Sequence, residues 1–275
     1  MSNLFQRWRN RASAEEIPEE PEIERFGADG EELVYGILAK AFDTVIRSPA
    51  VPHKELFLEK DFLVIHQGFP FLLEVKHWKG EVGQCGDKFY QQKENGIRKT
   101  IKSPAGTTAQ FLRQMRSYYH LKGQICGMVV FSEPSCKLAL PREIDGIAML
   151  PLEEAVSFIR SYAKAHKGEG AEFSPEDILR CTRFYSRERE FCKGILATNY
   201  IECFTEDGSA ARLDTLQLRF LSVEPQPLRL RDKLYVTFSN GSSGVFYNRD
   251  TVLSVAVLDG SYRKIALNRI QHIVF

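Results

Sequence analysis

Hydrophobic and polar positions recur with readable periods along most of this chain. Over residues 30–42 the apolar positions Val34, Ile37, Leu38, Ala41 and Phe42 return every three or four residues, which predicts an amphipathic helix. Two apolar, β-rich runs follow, DFLVIHQ (61–67) and FPFLLEVKHW (69–78), divided by Gln67-Gly68. They read as the two strands of a hairpin. EVGQCG and KFYQQ read as short strands, and residues 107–121 as a second helix with Phe111, Met115 and Tyr118 on one stripe. QICGMVVF (124–131) and GIAML (146–150) are buried strands by the same reading, and Pro151 opens a third helix, LEEAVSFIRSYAKAH. Ser174-Pro175 is a helix-start signal. It predicts a helix to about residue 191 that carries Arg180, Arg183, Arg187 and Arg189. Beyond Asn199 the chain is β-like, with turn signals at Asp207-Gly208, Asn240-Gly241 and Asp259-Gly260.

These patterns divide the chain. Residues 1–25 run from a short basic, aromatic start into EEIPEEPEIE and read as a flexible tail. Residues 26–168 form an α/β domain, 169–198 a helical connector, and 199–275 a small β-barrel domain. The length, 275 residues, fits two compact units and suffices for a core without disulfides or a structural metal.

Charge narrows the function classes. Lys and Arg number 37 against 36 Asp and Glu, a net charge of +1, so a generally polybasic protein is excluded. An anionic partner must meet a local basic patch. The cysteines, Cys85, Cys126, Cys136, Cys181, Cys192 and Cys203, contain no CxxC pair, which argues against a zinc site or a disulfide framework. No apolar run reaches the roughly 18 residues of a spanning helix, and the polar start is unlike a secretory signal. The expected location is cytoplasmic, with no membrane partner.

The chemistry concentrates in residues 61–76. For a hairpin centred on Gln67-Gly68, residues whose numbers total 135 face each other, which sets Asp61 opposite Glu74. Opposed side chains in an antiparallel pair have Cβ atoms about 4.5–5.5 Å apart. Two carboxylates that close repel unless a cation lies between them, and Mg²⁺ accepts such oxygen ligands. Strand alternation places Leu72, Glu74 and Lys76 on one face and Phe71, Leu73 and Val75 on the other. An ammonium beside a metal-holding carboxylate can orient water or stabilise charge on a phosphoryl oxygen. In the first helix, Glu31 lies three and seven residues before Val34 and Leu38 on the buried stripe, whereas Glu32 points more to solvent.

Gly27-Ala-Asp-Gly30-Glu31, Asp61, Glu74-Val75-Lys76 and Trp78-Lys79-Gly80 together resemble the nuclease-related domain, NERD, a branch of the PD-(D/E)xK nuclease superfamily. The resemblance spans about residues 25–150. It implies an α/β fold with a restriction-endonuclease-like mixed sheet flanked by helices. It further implies that Asp61 and Glu74, with the carbonyl of Val75, bind Mg²⁺ or Mn²⁺, that Lys76 positions the attacking water, and that Glu31 supports the metal or its water. Pro104 and Gln110 are similar to a proline and glutamine that the family carries ahead of its second helix, at longer spacing, and Lys60 stands where a proline commonly precedes the first aspartate. Gln114 and Tyr118 form a QxxxY pattern similar to one in recombination nucleases.

Other residues carry weaker signals. Trp78 and Lys79 combine a stacking surface with a cation, and Gln110, Gln114, Arg183 and Arg187 are further candidate nucleic-acid contacts. His77 shares the Val75 face, away from Glu74, and His66 closes the hairpin, so neither is assigned to the metal. The C-terminal region faintly resembles WYL domains, with Leu234-Tyr235-Val236 in the approximate place of their signature. The resulting expectation is a metal-dependent nuclease acting on nucleic acid, DNA rather than RNA, with a homodimer or protein contact through the C-terminal domain. The alternative is a nucleic-acid-binding or regulatory module whose nuclease fold does not cut.

Overall fold

The computed structural model describes residues 22–54, 56–85, 88–93, 96–172, 174–186, 189–224, 231–249, 251–257 and 261–275. Helix α1 (Glu22–Ala41) buries Val34, Tyr35 and Leu38. It starts earlier than the hydrophobic pattern indicates, so residues 22–25 belong to it rather than to a tail; residues 1–21 lie outside the described residues. After it come β1 (Thr44–Arg47), β2 (Ala50–His53), β3 (Leu56–Glu59), β4 (Phe62–His66), β5 (Phe69–Lys76), β6 (Glu81–Cys85), β7 (Lys88–Gln92) and β8 (Arg98–Ile101). Helix α2 (Pro104–Tyr118), strands β9 (Cys126–Phe131), β10 (Lys137–Ala139), β11 (Glu143–Ile144) and β12 (Ile147–Pro151), and helix α3 (Leu152–Ala165) complete the α/β part.

Its centre is a mixed sheet in the order β1-β4-β5-β9-β12-β11. Strands β4 and β5 pair antiparallel, while β5, β9 and β12 run parallel. Gln67 and Gly68 both have positive φ, 52° and 75°, the conformation a two-residue hairpin loop requires. The register follows: Phe62 opposes Leu73, Leu63 opposes Leu72, and Val64 opposes Phe71. Because helices cover both faces, β5 is buried along nearly all its length. Phe71, Leu73 and Val75 pack with Val34 and Leu38 of α1 and with Ala155 and Ile159 of α3. Leu72 packs on the other face with Phe111 and Met115 of α2. Helix α2 begins at Pro104, ahead of the expected 107, because Ser103 caps it: its Oγ accepts from Gly106 N at 2.9 Å. Tyr118, expected on the buried stripe, is 46% exposed in the last turn.

The connector expected to be helical is a strand pair. Pro175 starts only a three-residue 3₁₀ turn, Pro175–Asp177, and β13 (Cys181–Ser186) follows directly, then β14 (Arg189–Leu196). The arginine spacing mimics a helical stripe, but Thr182, Phe184 and Tyr185 favour a strand, and Phe184 is wholly buried among Leu221 and Ile273. Arg187 lies outside the described residues. Strands β15 (Tyr200–Phe204), β16 (Ala210–Asp214), β17 (Leu218–Glu224), β18 (Asp232–Phe238), β19 (Ser243–Asn248), β20 (Val252–Val257), β21 (Tyr262–Ala266) and β22 (His272–Val274) follow. They join β13 and β14 in an antiparallel sheet in the order β16-β15-β19-β18-β17-β22-β13-β14-β20-β21. A closed barrel would pair β16 with β21. Among the described residues these two are the outer strands and the sheet stays open. In β18, Leu234 and Val236 are core residues while Tyr235 faces outward and donates to Glu224 at 2.8 Å.

Backbone hydrogen bonds stitch the two parts together. Ala50 N donates to Leu179 O at 2.8 Å and Cys181 N to Ser48 O at 2.9 Å. The same stretch fastens the residues ahead of β4, since Ser48 N donates to Asp61 O and Lys60 N to Pro49 O. Among the described residues no helix is long and apolar enough to cross a membrane.

Candidate active site

The end of β5 is where the buried strand emerges with polar side chains. Continuing the alternation from Leu72, Glu74 and Lys76 stand on the α2 face. The Glu74 carboxylate is engaged on both oxygens: Lys76 Nζ donates to Oε1, and Lys60 Nζ to Oε2 at 2.7 Å. Lys60 is 6% exposed and also reaches Thr107 Oγ1 at 3.5 Å. Burial raises the Glu74 carboxyl, and the Lys76 and Lys60 ammoniums overcome that and leave it below the ordinary range. Burial likewise works against the charge of Lys76, but Glu74, Asp61 and Glu31 hold its proton more firmly than usual.

Asp61 lies one residue before β4, at the open end of the hairpin. Its Oδ2 accepts from Val75 N at 2.6 Å. Lys76 O is turned the other way, accepting from Ser132 N beyond β9, so alternation aims the N–H and carbonyl of Val75 at the Asp61 edge. The residue is half-buried, with its carboxyl enclosed. Burial, then Glu74, then Glu31 push that carboxyl well above the ordinary carboxylate range, against the pull of the Val75 N–H and of Lys76.

Glu31 comes from the opposite face, on α1, and its charge bears on Asp61. Its position depends on Gly30, since a Cβ there would lie 2.5 Å from Cβ of His77, directly after Lys76. Gly30→Ala is therefore expected to push α1 off the end of β5, costing about 1–3 kcal/mol, which thermal unfolding would register as a lowered Tm. Glu31 also pairs with Arg183 Nη2 of β13 at 3.2 Å, and Glu32, on the outer side, pairs with Arg47 and, at 3.4 Å, with Arg219 of β17. Adjacent glutamates of α1 thus each hold an arginine of the C-terminal sheet.

The structure therefore brings Glu31, Asp61, Glu74, Lys76 and the Val75 backbone together. Lys60 and Arg183 join them. Lys60 was legible as a departure from the proline of the PD motif, but its contact with Glu74 was not; the Arg183 contact spans 152 residues and has no local signal. Trp78 sits beside Lys76, whose Nζ is 5.7 Å from its ring, and meets Phe131 edge-on at 6.2 Å. Lys79 is exposed, with its carbonyl accepting from Gln91. Gln110 and Gln114 lie one and two turns beyond Thr107 along α2, outside the cleft at its start. His77 bonds Ser132 Oγ at 2.9 Å and His66 packs edge-on against Phe42.

Mg²⁺ is commonly held by one or two carboxylates, with waters and substrate phosphates completing the octahedron. Asp61, Glu74 and the Val75 carbonyl are oxygen donors of that kind, and burial with the Glu74 and Glu31 carboxylates holds the Asp61 carboxyl raised. Among the described residues no group of three or more His, Cys, Asp or Glu is placed to hold a metal ion. The donor set thus fits a sparsely ligated, phosphate-completed Mg²⁺ and not a dedicated three-residue cage. A separate cleft of about 280 Å³ at the junction of the two parts is lined by Arg47, Arg180 and Arg219 and by none of these carboxylates.

A mixed sheet between helices, with acidic groups and a lysine at the end of a strand pair, is the frame of a nuclease-like α/β domain. Residues 26–132 match the family model of the nuclease-related domain, NERD, and a place in the PD-(D/E)xK superfamily is consistent with that match. No curated protein matches the chain.

Proposed function

We propose that this protein hydrolyses phosphodiester bonds, in DNA before RNA, with a divalent metal. The observation that carries the reading is that Asp61, bonded to Val75 N, and Glu74, ion-paired with Lys76, stand together at the end of β5, with the charge of Glu31 felt by both Asp61 and Lys76. Asp61 and Glu74, with the Val75 carbonyl, would hold Mg²⁺ or Mn²⁺, which supplies Lewis acidity to the phosphoryl oxygen when bound. Lys76 acts as a cation and not as a base: its ammonium orients the attacking water and stabilises charge on the phosphoryl group. Glu31, braced by Arg183, accepts a hydrogen bond from that water. Lys60 holds Glu74 in place.

The test is cleavage of plasmid and single-stranded substrates by the full chain with Mg²⁺ or Mn²⁺ and in EDTA. Divalent-dependent cutting is expected; its absence on every substrate would overturn the reading. One observation favours a second reading, a binding module that does not cut: both Glu74 oxygens already have lysine partners. That protein would bind nucleic acid with no effect of divalent ions.

A further inference from the structure

Glu74 and Lys76 open into a cleft of about 400 Å³ whose second wall, residues 99–104, the hydrolytic reading leaves unused. That wall is built on β8, the outer strand of the small sheet β10-β6-β7-β8. The register pairs Ile101 with Phe89 and Lys99 with Gln91, so Lys99 and Ile101 share one face. Arg98 stands on the opposite face, its guanidinium 3.4 Å from the centre of the Tyr90 ring. Ile101 packs on the cluster of Val82, Ala105, Val129 and Phe131, and Trp78 packs on the same cluster from the other side of the cleft. One apolar base thus fixes both walls. Lys99 is carried on the core-facing side of the strand and remains exposed; Lys102 is exposed and directly precedes the Ser103 cap of α2.

Charge tells what the cleft accepts. The charge of Glu74 is already matched by Lys60 and Lys76, and among the described residues neither Lys99 nor Lys102 has a carboxylate within ion-pair distance. The cleft therefore has surplus positive charge beside an aromatic ring, a combination that suits a single strand with its phosphates on lysines and a base against the ring. At about 3.3 Å per residue, Lys99 and Lys102 are set roughly 10 Å apart, far enough to address different phosphates.

We propose that Lys99 and Lys102 form a backbone clamp for one polynucleotide strand, with Trp78 as its stacking surface, next to the reacting centre. The clamp rests on the nuclease reading for the position of the scissile bond but not for its own binding. Its test is fluorescence anisotropy of a labelled single-stranded oligonucleotide with the full chain, in EDTA, across a salt series. Removing both charges by Lys99→Ala with Lys102→Ala is expected to weaken binding about tenfold and to flatten the log–log salt slope by about 1.4, the value for two single-strand phosphate contacts. Lys40→Ala with Lys164→Ala makes the same change of net charge on α1 and α3 and should leave the slope as in wild type.

An unchanged slope in the Lys99/Lys102 variant, an equal change in the control, or a change seen only with duplex would overturn the clamp. Because no cutting occurs in EDTA, the two readings fail separately. A flattened slope in a protein that never cuts keeps the clamp and removes the nuclease; cutting with an unchanged slope does the reverse.

Discussion

Glu74→Gln and Lys76→Met are each expected to lower divalent-dependent cutting by about a thousandfold or more, since each removes a preorganised charge aimed at the reacting phosphate. The choice of substitution follows from the geometry. Glu74 is the counter-ion of two ammoniums, one of them nearly buried. Truncation to alanine would remove the carboxylate that both ammoniums bond, and breaking a buried pair in this way costs about 3–5 kcal/mol; inactivity would then report lost fold. Glutamine keeps the side-chain length and an oxygen acceptor for one lysine, and methionine keeps the stem of Lys76. Single-turnover rates measured below each variant's melting transition separate chemistry from folding. Rates within tenfold of wild type in either variant would place the chemistry elsewhere. With wild-type cutting in hand, loss in both would exclude the binding-only reading.

The hairpin was legible because its information is local. Gln67-Gly68 sets the turn, the turn sets the register, and alternation then decides that Glu74 and Lys76 leave the strand on one face and Val75 on the other. Glu31 was legible from helix phase, since the buried stripe through Val34 and Leu38 runs back to it. What the chain does not display is who arrives from afar. Lys60 reaches Glu74 because β4 begins only at Phe62 and the backbone ahead of it is pinned to residues 48 and 49. Arg183 reaches Glu31 because residues 181–186 are a strand tied to residue 48, and arginines at every third or fourth position look the same on a solvated helix. Phe184 and Tyr185 hold the β preference that decides the matter, and they pair with β14 close by and with β22, more than 80 residues away. Whether ten strands close or stay open is likewise a property of β16 and β21 as partners, which neither segment shows by itself. The start of α2 was the opposite case, with Ser103-Pro104 a local signal three residues ahead of the start that the apolar pattern indicates.

Asp61→Asn is expected to abolish cutting and yet, without divalent ions, to make the protein more stable. Burial and the Glu74 and Glu31 carboxylates all work against the charge of Asp61, and the Val75 N–H with Lys76 offsets only part of that. Asparagine keeps an oxygen to accept from Val75 N and has no charge to desolvate. A gain on the order of 1 kcal/mol corresponds to a Tm higher by about 2–4 °C. The pH dependence carries the sign. A carboxyl raised in the folded state retains a proton that the unfolded chain has already lost, so its contribution favours folding at low pH and is lost as pH rises through the folded value. The advantage of the Asn variant in EDTA should therefore grow as pH rises and shrink on acidification. Adding Mn²⁺ should invert the order, because a ligand at 100 times its Kd stabilises the protein that binds it by about 2.7 kcal/mol. Thermal melts of the two proteins in EDTA and in Mn²⁺ across this pH range decide it. An Asn variant that melts below wild type in EDTA would mean that the Asp61 charge supports the fold, and an order that Mn²⁺ leaves unchanged would remove Asp61 from the metal site.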